Sequence, residues 1–189
     1  MKVSRLFSFI KTVTYYTLIF KGIGVKSVLK SPLKIDGSKR ILIGNSVYIA
    51  YKTWLAAVPL TDSKKCELII GDGCKIGNFN HIYSTGSVIL EPNVLTADKV
   101  YISDNLHSYK DIKIPIWQQP IKQIGNVVIG EGTWLGENVC VIGASVGKQC
   151  VIGANSVVTK DIPDYCVAVG SPAKVIKRYN TIKGIWEKE

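Results

Sequence analysis

Apolar positions return every six residues between Ile70 and Val158. In most of these hexads an aliphatic residue precedes a small or turn-forming one, as in Ile70-Gly71 and Ile76-Gly77. Surface helices repeat every 3.6 residues and ordinary strands every two, so neither explains this period, whereas a parallel β-helix does. The pattern predicts an all-β fold in which three hexads form one three-sided coil. The repeat starts are Ile70, Ile76, Ile82, Leu90, Thr96, Ile102, Ile129, Leu135, Val141, Val146 and Ile152.

Interruptions of the repeat predict how the chain is organised. A loop containing Gly22, Gly24 and Pro32 precedes the first predicted hexad, which begins at Ile41. A long insert in a strict repeat is typical of a functional loop, and the longer insert starts directly after His107. The charged final residues predict a short C-terminal helix. The predicted parts are a basic arm or cap (1–40), a β-helix (41–165) with excursions at 51–67 and 108–126, and a C-terminal loop and tail (166–189).

Charge is concentrated at the start of the chain. The whole chain has 24 basic and 14 acidic residues, a net charge of +10. Residues 1–40 hold nine Lys or Arg against Asp36 alone, which gives 9 − 1 = +8. The remainder holds fifteen basic and thirteen acidic residues, so its charge is only +2. No recognisable nucleic-acid-binding module accompanies the basic arm, so a nucleic-acid partner is not expected.

The basic arm predicts an amphipathic helix over residues 3–20. Its apolar run after Lys11 is too short to span a bilayer, and no small-residue cleavage site follows it. Two interpretations remain: the helix caps the open end of the coil, or it rests on an anionic inner-membrane surface, and one segment can do both. We therefore expect a cytoplasmic protein, peripheral at the inner membrane under the second interpretation. The basic residues involved are Lys2, Arg5, Lys11 and Lys21.

The cysteines and histidines argue against a metal site. Five cysteines are odd in number and none forms a CxxC spacing, so we interpret them as small hydrophobes in a reducing compartment. A zinc β-helix enzyme of the carbonic anhydrase kind requires three histidine ligands, and the chain has only His81 and His107. The sequence therefore predicts no metal.

Two kinds of motif resemble a known family. The segments 157–163 (VVTKDIP) and 170–174 (GSPAK) resemble the closing signature of hexapeptide-repeat acyltransferases. The segments 102–107 (ISDNLH) and 132–136 (GTWLG) resemble the branch that O-acetylates bacterial surface polysaccharides. The resemblance covers about residues 30–180 and implies a left-handed parallel β-helix, a homotrimer and acetyl-CoA as acyl donor.

The resemblance implies three catalytic-site residues. Transfer of an acetyl group to a hydroxyl requires a base, and a neutral imidazole suits that task, so we expect His107 to act alone where the family often carries Asp-His-x-His. Asn105 replaces the first histidine of that motif. Asp104 either orients the imidazole or is a polar corner residue. Trp134 either lines the acyl-transfer cleft or lies in a subunit interface, and His81 faces solvent or a neighbouring subunit.

The resemblance also implies a cofactor groove. Gly136 and Ala154 match the positions where the pantetheine arm passes close to the backbone, which requires small residues. The nucleotide end resembles that held by four residues near the closing signature, although ordinary surface lysines are the simpler interpretation. These residues are Thr159, Lys160, Lys174 and Lys177.

The sequence therefore predicts an acetyl-CoA-dependent O-acetyltransferase acting on a sugar hydroxyl of a bacterial surface polysaccharide or its precursor. N-acetylation of a nucleotide-linked amino sugar is the first alternative. A non-catalytic β-helix scaffold is the second. Acceptor choice is expected to reside in the excursions at 51–67 and 108–126.

Overall fold

A computed structural model describes residues 3–189, with side chains from residue 6 onward. Its body is a coil of short parallel strands, in which consecutive strands fall in turn on three sheets, called here faces A, B and C. Face A contains β1 (Gly22–Ile23), β4 (Ile41–Ile43), β7 (Glu67–Ile70), β10 (Ser87–Leu90) and β15 (Val127–Ile129). Face B contains β2 (Val28–Leu29), β5 (Tyr48–Ile49), β8 (Lys75–Ile76), β11 (Leu95–Thr96), β16 (Trp134–Leu135), β18 (Val151–Ile152) and β20 (Cys166–Val169). Face C contains β3 (Lys34–Asp36), β6 (Trp54–Ala57), β9 (His81–Ser84), β12 (Tyr101–Ser103), β17 (Cys140–Ile142) and β19 (Val157–Val158).

The core is formed by the residues that start the hexads. On face C, Leu55 is in register with Ile82, and Ile82 with Ile102, and all three side chains are fully buried. Stacking of like aliphatic side chains on each face removes apolar surface from water at roughly 25 cal/mol per Å². The six-residue period of the sequence is therefore the spacing at which side chains enter one shared core.

Adjacent coils approach closely at the corners. A Cβ on Gly136 would lie 2.7 Å from the amide nitrogen of Ala154 in the next coil, closer than side-chain atoms can pack. Asn138 and Asn155 follow these two residues and adopt φ of +57° and +61°, a left-handed conformation that asparagine tolerates better than most residues. Small residues at these corners are thus already required by packing between coils.

The coil is longer than the sequence analysis predicted, at both ends. It begins with β1 on face A, within the segment interpreted as an arm, and β20 still pairs in parallel with β18 beyond residue 165. Strand β6 occupies residues 54–57, so only residues 58–66 leave the coil where an excursion over 51–67 was predicted. Ile23, Leu29 and Ile35 already have the six-residue spacing of the first coil, without the regular glycines that mark later coils.

The predicted C-terminal helix is wrong. After β20 the chain turns and forms two antiparallel strands that extend face B, β21 (Lys174–Asn180) and β22 (Ile185–Lys188). Tyr179 is in register with Trp186, and their rings pack edge to face with centroids 5.4 Å apart. Gly184, with φ of +68°, closes the turn between the strands. Cross-strand aromatic packing of this kind stabilises a hairpin. The prediction of a helix considered only the charged residues of the tail and not this pair.

A helical segment covers the first coil. It consists of α1 (Val3–Lys11), a π-helical turn (Thr12–Tyr16) and α2 (Thr17–Ile19). Tyr16 and Phe20 enter the core cluster, and the Leu29 N–H donates to Thr12 Oγ1 at 3.0 Å. Of the basic residues assigned to this helix, Lys2 lies outside the described residues and so does the side chain of Arg5. Within residues 3–189, no helix has the length and apolar character required to cross a membrane.

Candidate active site

His107 lies on a hairpin that leaves the coil where face C turns toward face A. The hairpin pairs β13 (Asn105–His107) with β14 (Ile121–Gln123), and His107 lies opposite Ile121. The Ser108 N–H donates to the Pro120 carbonyl at 2.9 Å and extends the pairing. Exposure increases along β13 as it leaves the coil, from the buried Asn105 to the exposed His107. The strand therefore presents the imidazole to solvent from a backbone that is paired with β14.

Asp104 fixes the root of this hairpin. Its carboxylate is fully buried and accepts hydrogen bonds from the Thr85 and Gly86 N–H groups at 2.8 Å each. It also accepts from the Ser84 hydroxyl at 3.0 Å and from the Asn105 side-chain amide at 2.9 Å. The carboxylate therefore joins the hairpin root to the preceding coil.

The charge on Asp104 is stabilised by these donors. Burial alone would raise the pKa of Asp104, but the hydrogen bonds from Asn105, Thr85, Gly86 and Ser84 outweigh it and leave the pKa below its usual value. Within the described residues none of its hydrogen bonds reaches His107, so these contacts do not support an orienting role for Asp104. They support a structural one instead.

Gln123 extends the network to the first excursion. Its side-chain oxygen accepts from the Thr85 hydroxyl at 2.8 Å and from the Thr61 hydroxyl at 3.2 Å, while its Nε2 donates to the Gly125 carbonyl at 2.6 Å. The sequence analysis did not identify Gln123 or Thr85. Gln123 lies 38 residues after Thr85 and 62 residues after Thr61, and no local motif marks pairs this far apart in sequence.

A groove lies between the two excursions, beside the hairpin. Its volume is about 560 Å³. His107 does not line it, but the adjacent Ser108 and the paired Ile121 do. Its wall combines hydroxyl, amide and charged groups with the apolar side chains of Pro120 and Ile121. The lining residues are Thr61, Asp62, Ser63, Ser108, Lys110, Pro120, Ile121, Lys122 and Gln123.

The predicted cofactor residues lie mainly on face B and its edge with face C. Trp134 is 47% exposed. It is in register with Val151, Val151 with Val167, and Val167 with Lys177 on β21, so the four residues form one row across face B. A register shift between Val167 and Ala168 places Lys174 and Lys177 on the same outward side of the sheet, although they are three residues apart. Gly136 and Ala154 follow β16 and β18 at the neighbouring edge.

Thr159 and Lys160 lie elsewhere. Both are exposed and follow β19, at the edge where face C turns toward face A. The hairpin carrying His107 leaves the coil from the same edge, two coils earlier. The structure thus divides the predicted site residues: Asp104, His107, Thr159 and Lys160 lie at one edge, and Trp134, Gly136, Ala154, Lys174 and Lys177 at face B and another edge. No contact within the described residues joins Trp134 to His107.

His81 belongs to an aromatic column on face C. Its ring stacks on Trp54 with centroids 4.1 Å apart and an interplanar angle of 6°. Trp54 Nε1 donates to Asp36 at 2.8 Å. Burial lowers the pKa of His81, with Asp36 opposing the shift, and its Nε2 is buried without a hydrogen-bond partner. These properties indicate that the His81 imidazole is neutral and structural. Of the two histidines, only His107 is exposed to solvent.

Burial raises the pKa of four thiols, those of Cys66, Cys74, Cys150 and Cys166. All five cysteines are unpaired, and burial raises the pKa of Cys74 to about 11. A thiol with that pKa is protonated at neutral pH and is a poor nucleophile. Within residues 3–189, no cluster of three or more metal-ligating side chains occurs.

A three-sided parallel coil interrupted by one histidine-bearing hairpin defines the class of hexapeptide-repeat β-helix proteins. Residues 126–160 match the family model described as "Hexapeptide repeat of succinyl-transferase". WbbJ of Escherichia coli K12, named as an O-acetyl transferase of lipopolysaccharide biosynthesis, is 38% identical over 128 residues, which cover 64% of this chain and 65% of that protein. A Mycobacterium tuberculosis protein named as an acetyltransferase is 36% identical over 85% of this chain and 50% of its own.

Solved structures show the same architecture. A maltose O-acetyltransferase from Clostridium difficile is 25% identical with a TM-score of 0.59, covering 94% of this chain and 82% of its own. The N-acyltransferase AntD from Bacillus cereus, in complex with dTDP and 3-hydroxybutyryl-CoA, has a TM-score of 0.76 at 18% identity over 93% and 92% of the two chains. In sequence and in fold the chain is similar to hexapeptide-repeat acyltransferases, the family that its motifs resemble. It spans about half to two thirds of the curated relatives named above.

Proposed function

We propose that this protein is an acetyl-CoA-dependent O-acetyltransferase that modifies a sugar hydroxyl of a bacterial surface polysaccharide or its precursor. The observation that carries the proposal is the exposed His107 on a paired hairpin, next to a groove whose lining includes hydroxyl and amide groups. Such groups are suited to hydrogen-bond a saccharide. The kinship with WbbJ, named for lipopolysaccharide biosynthesis, favours this acceptor class.

The proposed reaction is direct transfer in a complex of both substrates. The His107 imidazole removes the proton of the acceptor hydroxyl as that oxygen attacks the thioester carbonyl. The C–S bond then breaks, and the CoA thiolate takes the proton back from the imidazolium. A neutral imidazole and an already activated thioester require no metal for this sequence. The high pKa of Cys74 agrees with a route that forms no acyl-enzyme there.

The position of the donor site follows from the division of residues between edges. We propose that acetyl-CoA lies along the edge of faces B and C, with Trp134, Gly136 and Ala154 beside the pantetheine arm. Lys174 and Lys177 would then lie beside its phosphates. His107 leaves from a different edge, so a second copy must supply the facing half of the site. From the resemblance to the family we infer that this copy belongs to a homotrimer of left-handed β-helices. Light scattering checks this, with a mass near three times the 20.8 kDa of one chain expected.

The test of the function is a transfer assay. Mass spectrometry of candidate glycans incubated with the protein and acetyl-CoA should find a mass increase of about 42 Da, the mass of an added acetyl group, on a sugar acceptor, with release of free CoA. Treatment with mild base should remove the group, because an acetyl ester hydrolyses where an amide survives. A base-stable product would indicate the alternative, N-acetylation of a nucleotide-linked amino sugar, whose fold precedent is AntD. Failure to bind CoA would exclude both transferase functions and favour a non-catalytic scaffold.

Five unpaired cysteines agree with a reducing, cytoplasmic site of action.

The double variant Lys174→Ala, Lys177→Ala should raise the KM for acetyl-CoA. Both ammonium groups lie on one exposed side of β21, where they can meet phosphates as point charges. Because exposed charge contacts are weak, the expected increase is about three- to tenfold with little change in kcat. The matched control is Lys21→Ala, Lys26→Ala, which removes two exposed lysines of the first coil, at the opposite end of the column from β21. A KM equal to that of the control would remove Lys174 and Lys177 from the cofactor site.

A further inference from the structure

The helical segment 3–19 buries two polar side chains and exposes several large apolar ones, which an ordinary surface helix does not do. Its inward line begins with two polar residues, Ser8 and Thr12, before Tyr16 enters the core. Its outward side carries large apolar residues instead. Surface helices of globular proteins normally bury the apolar stripe and expose the polar one. The outer helix surface, as we name it, consists of Leu6, Phe7, Ile10, Val13 and Leu18, all exposed.

The polar inward residues are satisfied locally. Thr12 Oγ1 donates to the Ser8 carbonyl at 2.7 Å and accepts from the Leu29 N–H at 3.0 Å. Docking on the first coil uses Ser8, Thr12 and Tyr16, whereas Phe7 and Leu18 take no part in it and stay 71% and 72% exposed. The helix thus covers the coil with one side and presents five apolar side chains with the other.

Basic side chains surround this surface. Lys11, Lys21, Lys26, Lys39 and Arg40 are exposed on the helix or on the first coils next to it. The one acidic residue of this region, Asp36, is already engaged by Lys34 at 3.1 Å and by Trp54 at 2.8 Å. Asp36 is already counted in the net charge of +8 over residues 1–40, and none of the five basic side chains forms an ion pair within the described residues.

We propose that the outer helix surface binds an anionic lipid bilayer, with the apolar side chains in the acyl boundary and the lysines at the headgroups. Apolar residues flanked by cations are the combination that interfacial helices use, and a basic cluster draws them to acidic lipids. A neutral apolar partner would not account for the charge, and a second copy of this chain would bring two positive surfaces together. The proposal concerns this surface alone and does not depend on the acyl-transfer reaction.

Vesicle flotation tests the apolar part. The full chain should float with phosphatidylcholine–phosphatidylglycerol vesicles and stay in solution with phosphatidylcholine alone. The double variant Phe7→Ser, Leu18→Ser should lose binding at least about tenfold, since two large apolar groups no longer insert. The matched control is Ile112→Ser, Ile182→Ser, which removes two side chains that are 95% and 96% exposed elsewhere. All four positions are exposed, so circular dichroism should report an unchanged fold.

Charge reversal tests the electrostatic part. Lys21→Glu with Lys26→Glu should weaken binding to the acidic vesicles at least about tenfold, because about 1 kcal/mol per cation near the surface is lost and repulsion is added. The control Lys52→Glu with Lys64→Glu changes net charge equally, away from the helix. Equal binding to neutral and acidic vesicles, no binding to either, or an equal loss in the controls would overturn the proposal. So would a wild-type assembly that dissociates in the Phe7→Ser, Leu18→Ser variant without vesicles, since a second copy would then occupy the surface.

Discussion

His107→Ala is expected to lower kcat for acetyl transfer by about 10²- to 10⁴-fold, the usual contribution of a general base. The KM for acetyl-CoA should change little, because the imidazole acts on the acceptor hydroxyl while other residues make the proposed contacts to CoA. Steady-state kinetics with free CoA as the readout measure both constants. The exposed position of His107 makes a folding defect from this change unexpected.

The other histidine supplies the control for that variant. His81→Phe keeps a flat ring stacked on Trp54 and removes the imidazole nitrogen that has no hydrogen-bond partner. It should retain activity near the wild-type level. Full activity in His107→Ala, or an equal loss in His81→Phe, would show that His107 is not the base.

Asp104→Asn is expected to destabilise the protein by about 3 kcal/mol at pH 7. The carboxylate is fully buried, and the amide that replaces one oxygen would oppose the N–H donors of Thr85 or Gly86. Denaturant unfolding measures the loss. The control is Asp111→Asn, an exposed carboxylate that accepts only from the Lys113 N–H within the same insert, where a change within about 0.5 kcal/mol is expected.

The same variant has a pH dependence of known sign. The folded pKa of Asp104 lies below its ordinary value of 3.8, so its charge stabilises the fold above that pH. As pH falls through 3.8 toward the lower folded pKa, the wild type loses this contribution and Asp104→Asn has none to lose. The difference in unfolding free energy between them should therefore shrink on acidification below pH 3.8. A difference that is constant from pH 7 to acid would show that the charge of Asp104 is not what the donors stabilise.

Sequence reasoning succeeded where the information was periodic. The spacing of Ile70, Ile76 and Ile82 places them on faces A, B and C in turn, as a coil of three hexads requires. It failed where the marking residues were absent. The first coil keeps the period of Ile23, Leu29 and Ile35 without regular glycines, and the C-terminal hairpin depends on pairing between Tyr179 and Trp186 rather than on a repeat.

The candidate site was predicted only in part. The insert after His107 marked the hairpin, because a break in a repeat is visible locally. Asp104 was identified for its closeness in sequence to His107, yet its donors at residues 84–86 lie 18 to 20 residues earlier, in the previous coil. Gln123 reaches Thr61 over 62 residues, across both excursions.

The sequence by itself determined the repeating unit, the residues that point into the core and the place where the coil opens for His107. These features follow from spacing within a few residues, since one strand and one corner are encoded by each hexad. Only the tertiary structure decided which donors surround Asp104, which edge each predicted cofactor residue occupies and which side of the first helix remains apolar and exposed. Contacts between coils join residues about twenty positions apart, and each slip or insert in the repeat changes their register, so packing of the whole column fixes them.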